Sequence, residues 1–289
     1  MNPLPTLVWI NGRKAPVDAA HVSVTDRGFT LGDGVFETML VRRGRAFRLA
    51  AHRSRLGAGL NRLAIGVPPA LDAAIATALA AARDVEAAML RVTVSRGPGM
   101  ASLGPVGSSE PSSVVLVAPL PEFGADTYEH GLTAHVASGR RNERSMTAGL
   151  KTLAYTESVA ALVEARSAGA NEALFLDMEG HCSEASASNL FIVVGDRLVT
   201  PPPSCGALPG ITRAAVLEVA RAAGLIAAER AMTLADLLAA DEAFLTSSLR
   251  GIAPLVVVAR TPIGSGRPGP ATARLREGYA ALVARECGD

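Results

Sequence analysis

The chain has 289 residues, of which 49% are hydrophobic, and its 28 basic and 27 acidic residues leave a formal net charge of +1. This length predicts one large or two medium domains with a sizeable core, and the near-zero charge gives no reason to expect nucleic acid or an acidic partner. Three widely spaced cysteines fit a reduced cytoplasmic protein better than a disulfide framework. Apolar runs end well before the roughly 18 residues that a membrane span needs, and the first residues lack a charged-then-apolar leader.

The N-terminal part of the chain predicts two strand hairpins and two helices. The first hairpin has an Asn-Gly turn at residues 11–12, and the second has an Arg-Gly turn at residues 43–44. Apolar residues recur at helical spacing over residues 50–63 and 70–82. The segment TDRGFTLGDGVFET is dense in glycine, which indicates a tight turn or a close approach of the backbone.

The rest of the chain predicts a second α/β part. Strands AMLRVTVSRG and SSVVLVAPL flank a loop rich in Gly and Pro, and PLPEFG predicts a linker. We therefore assign residues 1–118 to a small N-terminal domain, 119–127 to the linker and 128–289 to a larger C-terminal domain. Further strands are predicted at LTAHVAS, EALFLD, NLFIVVGDRLVT, EAFLTSS and APLVVVA, and helices at residues 155–167, ITRAAVLEVARAAG and ARLREGYAALVARE. The fold class is mixed α/β (α+β) in two domains, with a cleft between them.

Lysine is almost absent from the chain, and this singles out Lys151. The chain has 26 arginines and two lysines; Lys14 lies in a polar turn, whereas Lys151 lies in the apolar stretch AGLKTLAY. Arginine replaces lysine freely on a solvated surface, but only an amine can lose its proton when desolvated and attack a carbonyl. Lys151 is therefore a candidate nucleophile, and a lysine at a helix start is the ordinary alternative.

A nucleophilic lysine that works with a pyridine cofactor such as pyridoxal phosphate needs an acid for the ring nitrogen and a cradle for the phosphate. Glu184, in HCSEASASN before an apolar strand, is a candidate acid, with an ordinary loop glutamate as the alternative. In LPGITR, Gly210 turns the chain, and Ile211 and Thr212 open a helix whose N–H groups would face an anion. Further candidates for phosphate contact are Ser247, Ser248, Arg53 and Arg55.

Other kinds of site find no support in the sequence. It contains no dinucleotide fingerprint, no phosphate-binding P-loop and no GxSxG serine elbow. His181, Cys182 and Glu184 look superficially like metal ligands, but no second cluster has the right spacing, so we expect no metal.

Five ordered blocks of the sequence resemble the class IV aminotransferases, the fold-type IV pyridoxal phosphate enzymes. These blocks are DRGFTLGDGVFET, HRSRL, LKTLAY, EALFLDMEGHCSEASASNLFIV and LPGITR, within residues 7–258. The family includes branched-chain aminotransferases, D-amino acid aminotransferases, (R)-amine transaminases and 4-amino-4-deoxychorismate lyases. The resemblance implies a two-domain D-amino acid aminotransferase-like fold, pyridoxal 5'-phosphate between the domains, and a homodimer.

The resemblance also implies roles for individual residues. Lys151 is the Schiff-base lysine and general base, Glu184 pairs with the pyridine nitrogen, and Arg55 rather than Arg53 binds the phosphate. The other implied contacts are Leu208 against the cofactor ring, Ile211, Thr212 and Ser248 near the phosphate, and Phe36 and Tyr155 in the substrate pocket.

The sequence motifs disagree about the subfamily. D-amino acid enzymes place an arginine where this chain has residues 100–102, Met-Ala-Ser, which weakens that assignment. Lyases resemble VSRGPG and SLRG, so Arg96 and Arg250 favour a 4-amino-4-deoxychorismate lyase, although the second arginine of the lyase loop is missing. Branched-chain enzymes share LPGITR and a tyrosine at the position of Tyr155. Residues that can reach the substrate, or else form a solvated turn, are Arg140, Arg141 and Arg144.

We therefore expect an aminotransferase that acts on a small-molecule amino donor and a 2-oxo acid acceptor. The lyase, which would release pyruvate and form 4-aminobenzoate, is the second hypothesis. A cofactor-free binding module is the third, and the presence of both Lys151 and Glu184 argues against it.

Overall fold

The computed structural model describes residues 5–99, 103 and 110–288 of the chain. The chain divides into two compact units. Unit 1 comprises Met1–Pro121, Leu150–Ala154 and Ala284–Asp289, and unit 2 comprises Glu122–Gly149 and Tyr155–Val283. The short segment that carries Lys151 therefore belongs to unit 1, although the first segment of unit 2 precedes it in the sequence.

Unit 1 contains a six-stranded antiparallel sheet. Its strands are β1 (Leu7–Ile10), β2 (Arg13–Ala15), β3 (Gly34–Arg42), β4 (Arg45–Ala46), β5 (Ala88–Ser95) and β6 (Ser112–Pro119), in the order β2-β1-β6-β5-β3-β4. Its helices are α1 (Arg27–Leu31), α2 (Leu49–Arg62) and α3 (Leu71–Ala81). Alternate residues of the strands, such as Met39 and Val92, share one buried cluster with Leu60 and Ile75 of the helices.

Local turn chemistry explains the hairpins of unit 1. Asn11 and Gly12 have φ of 48° and 80°, and Arg43 and Gly44 have φ of 47° and 77°. Two successive positive φ values are what a tight type I′ hairpin turn requires, so both predicted hairpins are confirmed. The glycine-dense segment contains the short helix α1, which the periodicity did not predict.

Unit 2 contains a nine-stranded sheet. Its strands are β7 (Leu132–Arg141), β8 (Glu172–Asp177), β9 (Cys182–Ala185), β10 (Asn189–Val194), β11 (Arg197–Thr200), β12 (Ile226–Glu229), β13 (Glu242–Ser247), β14 (Gly251–Val258) and β15 (Thr261–Pro262). The order is β12-β11-β10-β13-β14-β7-β8-β9, and β9 pairs again with β10, so six of the strands form a closed ring. The remaining helices are α4 (Asp126–Glu129), α5 (Thr156–Ser167), α6 (Ile211–Ala222), α7 (Leu234–Leu238) and α8 (Pro270–Cys287).

The strand β9 shows where tertiary pairing overrides the local pattern. The small polar residues of HCSEASASN predict a turn, but residues 182–185 pair with β8 and β10 and only residues 186–188 remain as the connection. Glu184 therefore lies on a strand. In the described ranges, none of the helices is both long enough and apolar enough to cross a membrane.

Candidate active site

Lys151 lies on a short extended segment that is bonded to the start of β3. Phe36 N–H donates to the carbonyl oxygen of Lys151 at 2.9 Å, and Leu153 N–H donates to the carbonyl oxygen of Gly34 at 3.0 Å. Glycine is needed at position 34, because a Cβ there would overlap the carbonyl oxygen of Val94 and lie 2.8 Å from Leu153 Cδ1. The sheet thus fixes the backbone of Lys151, and the following helix begins only at Thr156.

The side chain of Lys151 lies against an aromatic ring. Its Nζ is 4.3 Å from the ring centroid of Phe36, and the guanidinium carbon of Arg91 is 3.9 Å from the same centroid. Both distances are within the range of a cation–π contact. Arg91 was not among the sequence candidates. The available signal was the polar pair Arg91 and Thr93 within β5, on the face opposite the apolar residues Leu90 and Val92.

Arg55 is held by a buried carboxylate that sequence reasoning missed. Glu37 accepts hydrogen bonds from Arg55 Nε and Nη2 and from His52 Nδ1, all at 2.7 Å. Its side chain is 1% exposed. Burial by itself would raise the pKa of Glu37, but the hydrogen bonds from Arg55 and His52 outweigh it, so the pKa lies below its ordinary value. His52 and Arg55 lie on one face of α2, and Glu37 lies on the same face of β3 as the core residues of that strand.

Arg96 is part of a second ion-pair network in unit 1. It donates to both oxygens of Asp33, at 2.7 and 3.1 Å, and to the carbonyl oxygens of Leu63 and Ala64. Arg27 donates to the same carboxylate at 3.0 Å. Burial raises the pKa of Asp33, and the hydrogen bonds from Arg96 and Arg27 more than reverse this. These bonds anchor Arg96 within unit 1, and its role in the substrate pocket stays a prediction.

In unit 2, Glu184 is held at both of its oxygens. Oε2 accepts the N–H of Leu208 at 2.9 Å, and Oε1 lies 3.3 Å from Arg141 Nε. Arg141 also donates to Glu157 at 2.8 Å and to Ser158 Oγ at 2.9 Å, and it covers the ring of Phe175. The carboxylate is therefore held in one orientation with a cation beside it.

In unit 2, helix α6 begins without a capping side chain. Gly210 precedes the helix with φ −69° and ψ 137° and has no side chain that could cap it. The N–H groups of the first turn, including those of Ile211 and Thr212, therefore lie at an uncapped positive helix end. Gly210 itself packs so closely on Asn189 that a Cβ would overlap Asn189 Oδ1.

Hydroxyl groups lie at the end of β13. Thr246 is paired with Asn189 across the sheet, and Ser247 and Ser248 follow it. Thr246 Oγ1 is buried and has no hydrogen-bond partner among the residues that the structure describes. A buried hydroxyl without a partner is a natural donor for a bound anion.

Two further candidates lie elsewhere in unit 2. Tyr155 directly precedes α5. Arg250 lies 3.5 Å from Glu172 and covers the ring of Phe123. The positions 100–102, where a D-amino acid enzyme carries an arginine, lie outside the described residues.

Each of the two units carries groups whose chemistry fits pyridoxal phosphate. The cofactor needs an amine for its aldehyde, an acid for its ring nitrogen and donors for its phosphate. Unit 1 offers an amine at Lys151, and unit 2 offers a carboxylate at Glu184. The uncapped α6 start and the unpartnered hydroxyl of Thr246 supply donors for a phosphate.

Comparison with known proteins identifies the family. The sequence model of the family described as amino-transferase class IV matches residues 34–258. The chain belongs to the class IV aminotransferases. It is 33% identical over 275 residues to the putative branched-chain-amino-acid aminotransferase of Methanocaldococcus jannaschii, and the match covers 94% of each protein.

Two solved structures are similar along nearly the whole chain. A branched-chain amino acid aminotransferase from T.th. with pyridoxamine 5'-phosphate has a TM-score of 0.90 and 27% identity, covering 97% of this chain and 94% of that one. The 4-amino-4-deoxychorismate lyase from Pseudomonas aeruginosa has a TM-score of 0.83 and 33% identity, covering 95% and 98%. The predicted family and the mixed α+β fold of the fold-type IV enzymes are confirmed, and the protein is an enzyme of a family whose members use pyridoxal phosphate.

Proposed function

We propose that the protein is a pyridoxal 5'-phosphate-dependent aminotransferase that moves the amino group of a branched-chain amino acid to a 2-oxo acid. The observation that carries the proposal is the contact of Lys151 Nζ and the Arg91 guanidinium with the one ring of Phe36. This arrangement offers a nucleophilic amine, an apolar surface and a cation within one unit. An amino acid with an aliphatic side chain and a carboxylate requires these three features. The names of the relatives from M. jannaschii and T.th. support the same substrate class.

The residues have separate tasks in this reaction. When bound, the cofactor supplies an aldehyde carbon and a ring that withdraws electrons. Lys151 would hold the aldehyde carbon through its side-chain amine. Once released from that carbon, the same amine would be the group that moves the proton at the substrate Cα. Glu184 holds the proton at the ring nitrogen, and Arg141 and the Leu208 N–H keep the carboxylate in place for that task.

The phosphate is proposed to bind to two groups of donors. In unit 2 these are the first N–H groups of α6 at Ile211 and Thr212. The hydroxyls of Thr246, Ser247 and Ser248 are the other donors proposed in this unit. In unit 1 the donor is Arg55, whose guanidinium is held in one plane by its bidentate bond to Glu37. Leu208 is proposed to pack on the cofactor ring.

A second candidate function is the lyase reaction, in which the same lysine and acid lead to loss of a group beta to the reacting carbon. The 33% identity to the lyase from P. aeruginosa favours it. The two arginines that suggested a lyase are each bonded to a carboxylate of their own unit, Arg96 to Asp33 and Arg250 to Glu172. We therefore place the lyase second.

A half-reaction panel on the purified holoenzyme tests the proposal. L-leucine, L-glutamate, D-alanine, an (R)-aryl amine and aminodeoxychorismate are added singly, and the absorbance of the bound cofactor is followed. We expect L-leucine and L-glutamate to convert the cofactor to its amine form, with Lys151→Ala as the inactive control. If no donor converts the cofactor and aminodeoxychorismate releases pyruvate, the protein is a lyase.

The donors in the panel also decide handedness. Conversion by D-alanine alone would contradict the proposed branched-chain substrate and point to a D-amino acid enzyme. We further propose a homodimer on the family resemblance, and light scattering that gives a monomer mass would contradict it.

A further inference from the structure

The hairpin of β9 and β10 carries two polar side chains side by side. Glu184 and Asn189 are directly opposite each other in the register of the two strands, and the connection is closed by a hydrogen bond from Ala185 N–H to the carbonyl oxygen of Ser188. Asn189 is buried. A buried amide in the middle of a sheet needs partners for its donor and its acceptor atoms, because an unmet polar atom there costs about 1–3 kcal/mol.

Both side chains bind the same residue of a distant loop. Leu208 N–H donates to Glu184 Oε2 at 2.9 Å, and Asn189 Nδ2 donates to the carbonyl oxygen of Leu208 at 2.8 Å. Two residues later, Gly210 lies against Asn189 Oδ1 with no room for a Cβ. The hairpin therefore holds Leu208 and Gly210 and, through them, the first residue of α6.

We propose that Asn189 is a positioning residue that sets the spacing between the Glu184 carboxylate and the N-terminus of α6. The proposal rests on the proposed function, in which these two groups bind the ring nitrogen and the phosphate of one cofactor. The ring nitrogen and the phosphate of that cofactor are joined by a short, stiff framework. Protein groups bind both ends at full strength only if they are held at the matching spacing before the ligand arrives.

A residue that sets this spacing affects ligand binding differently from a residue that only stabilises unit 2. A ligand that contacts only one end does not depend on the spacing between the ends. Loss of the Asn189 contacts should therefore weaken a ligand that spans both ends, and leave ligands of either single end almost unaffected. A general loosening of unit 2 would instead weaken all of them.

The test measures three dissociation constants on the full-length protein freed of cofactor. The ligands are pyridoxine 5'-phosphate, which spans both ends, pyridoxine, which lacks the phosphate, and inorganic phosphate. None of the three has an aldehyde, so binding requires no bond to Lys151 and no turnover. The binding test can therefore support the positioning role of Asn189 even if the protein fails to transaminate. Failure of the proposed function and failure of the positioning role are thus distinguishable.

For Asn189→Ala we expect the dissociation constant of pyridoxine 5'-phosphate to rise about tenfold, which is about 1.4 kcal/mol. Those of pyridoxine and phosphate should change less than about twofold. The control is Asn171→Ala, which removes an exposed side-chain bond of the same unit, to the N–H of Thr133 at 2.6 Å, between β7 and the start of β8. The control should leave all three constants unchanged.

Two results would overturn the proposal. One is an unchanged affinity of Asn189→Ala for pyridoxine 5'-phosphate. The other is an equal loss for all three ligands, which would make Asn189 a structural residue without a role in spacing.

A second variant covers the case in which Asn189→Ala does not fold. Gly210→Ala perturbs the same contact from the other side, and its backbone angles suit alanine, so the overlap with Asn189 Oδ1 is the main disturbance. It should show the same selective loss for pyridoxine 5'-phosphate. In the double variant the overlap is absent, so the combined loss should be smaller than the sum of the single losses; strict additivity would contradict the contact.

Discussion

Replacement of Glu37 by glutamine removes the charge at the centre of the buried cluster in unit 1. The carboxylate accepts three hydrogen bonds of 2.7 Å from Arg55 and His52. The side chains of Glu37 and His52 are 1% and 2% exposed, so water cannot replace the lost partner. Glutamine keeps the shape and one acceptor oxygen, but its NH2 group cannot accept a hydrogen bond and would face a donor of Arg55 or His52. Charge-assisted bonds contribute about 1.5–3 kcal/mol each, and breaking a buried pair costs about 3–5 kcal/mol.

We therefore expect Glu37→Gln to lower the free energy of unfolding by about 3 kcal/mol at neutral pH. The assay is urea unfolding of the cofactor-free protein, so that no loss of phosphate binding at Arg55 contributes. The single tryptophan, Trp9, is buried in the same core, and its fluorescence reports the unfolding of unit 1. Glu86→Gln is the matched control, because the side chain of Glu86 is 74% exposed where it pairs with Arg42.

The pH dependence separates charge from packing. The pKa of Glu37 is lower in the folded protein than its ordinary value of 4.5. Its contribution to stability is therefore complete above about pH 4.5 and is lost as the pH falls through the folded pKa. The gap between the wild type and Glu37→Gln should accordingly shrink in acid. A gap that stays constant down to low pH, or that is absent at neutral pH, would refute the reasoning.

Further predictions concern five other positions of the chain. Lys151→Ala and Lys151→Arg should both lose turnover and the covalent absorbance of the cofactor, because neither presents an amine; turnover in either variant contradicts the assigned role. Glu184→Gln should bind cofactor but turn over about 10²-fold more slowly, and unchanged turnover would remove its role. Gly34→Ala should lower the free energy of unfolding by about 1–3 kcal/mol, since its Cβ meets the backbone of β5. The control is Gly57→Ala, because a Cβ at position 57 in α2 meets no other atom. This variant should raise the free energy of unfolding by about 0.5–1 kcal/mol. Equal shifts of the melting temperature in the two variants would refute the packing argument. Burial raises the pKa of the Cys182 thiol to about 12, so a maleimide at neutral pH should label this residue only after unfolding; labelling of the native protein would contradict its burial.

Features that depend on neighbouring residues could be predicted from the sequence. The Asn-Gly turn at residues 11–12, the strand alternation of β5 and β6, and the helical periodicity of α2 and α6 are local properties, and the structure contains them. The rarity of lysine singles out Lys151, and LPGITR indicates an open helix start. Five ordered motifs indicated the family and, through the family, the fold. Such signals come from neighbouring residues, so they do not depend on the contacts that the rest of the chain makes.

Only the tertiary structure decided which distant groups meet. Nothing in VFETML indicates that Glu37 accepts from Arg55 and His52, because a charged residue at a core-facing position has no partner in its local sequence. The sequence leaves a helix start open as the ordinary alternative for Lys151, whereas pairing with β3 keeps this residue extended. The hydrogen bond from Asn189 Nδ2 to the carbonyl oxygen of Leu208 likewise joins residues from separate elements. Buried polar groups must find partners wherever the fold brings them, and that choice is made by packing over the whole unit.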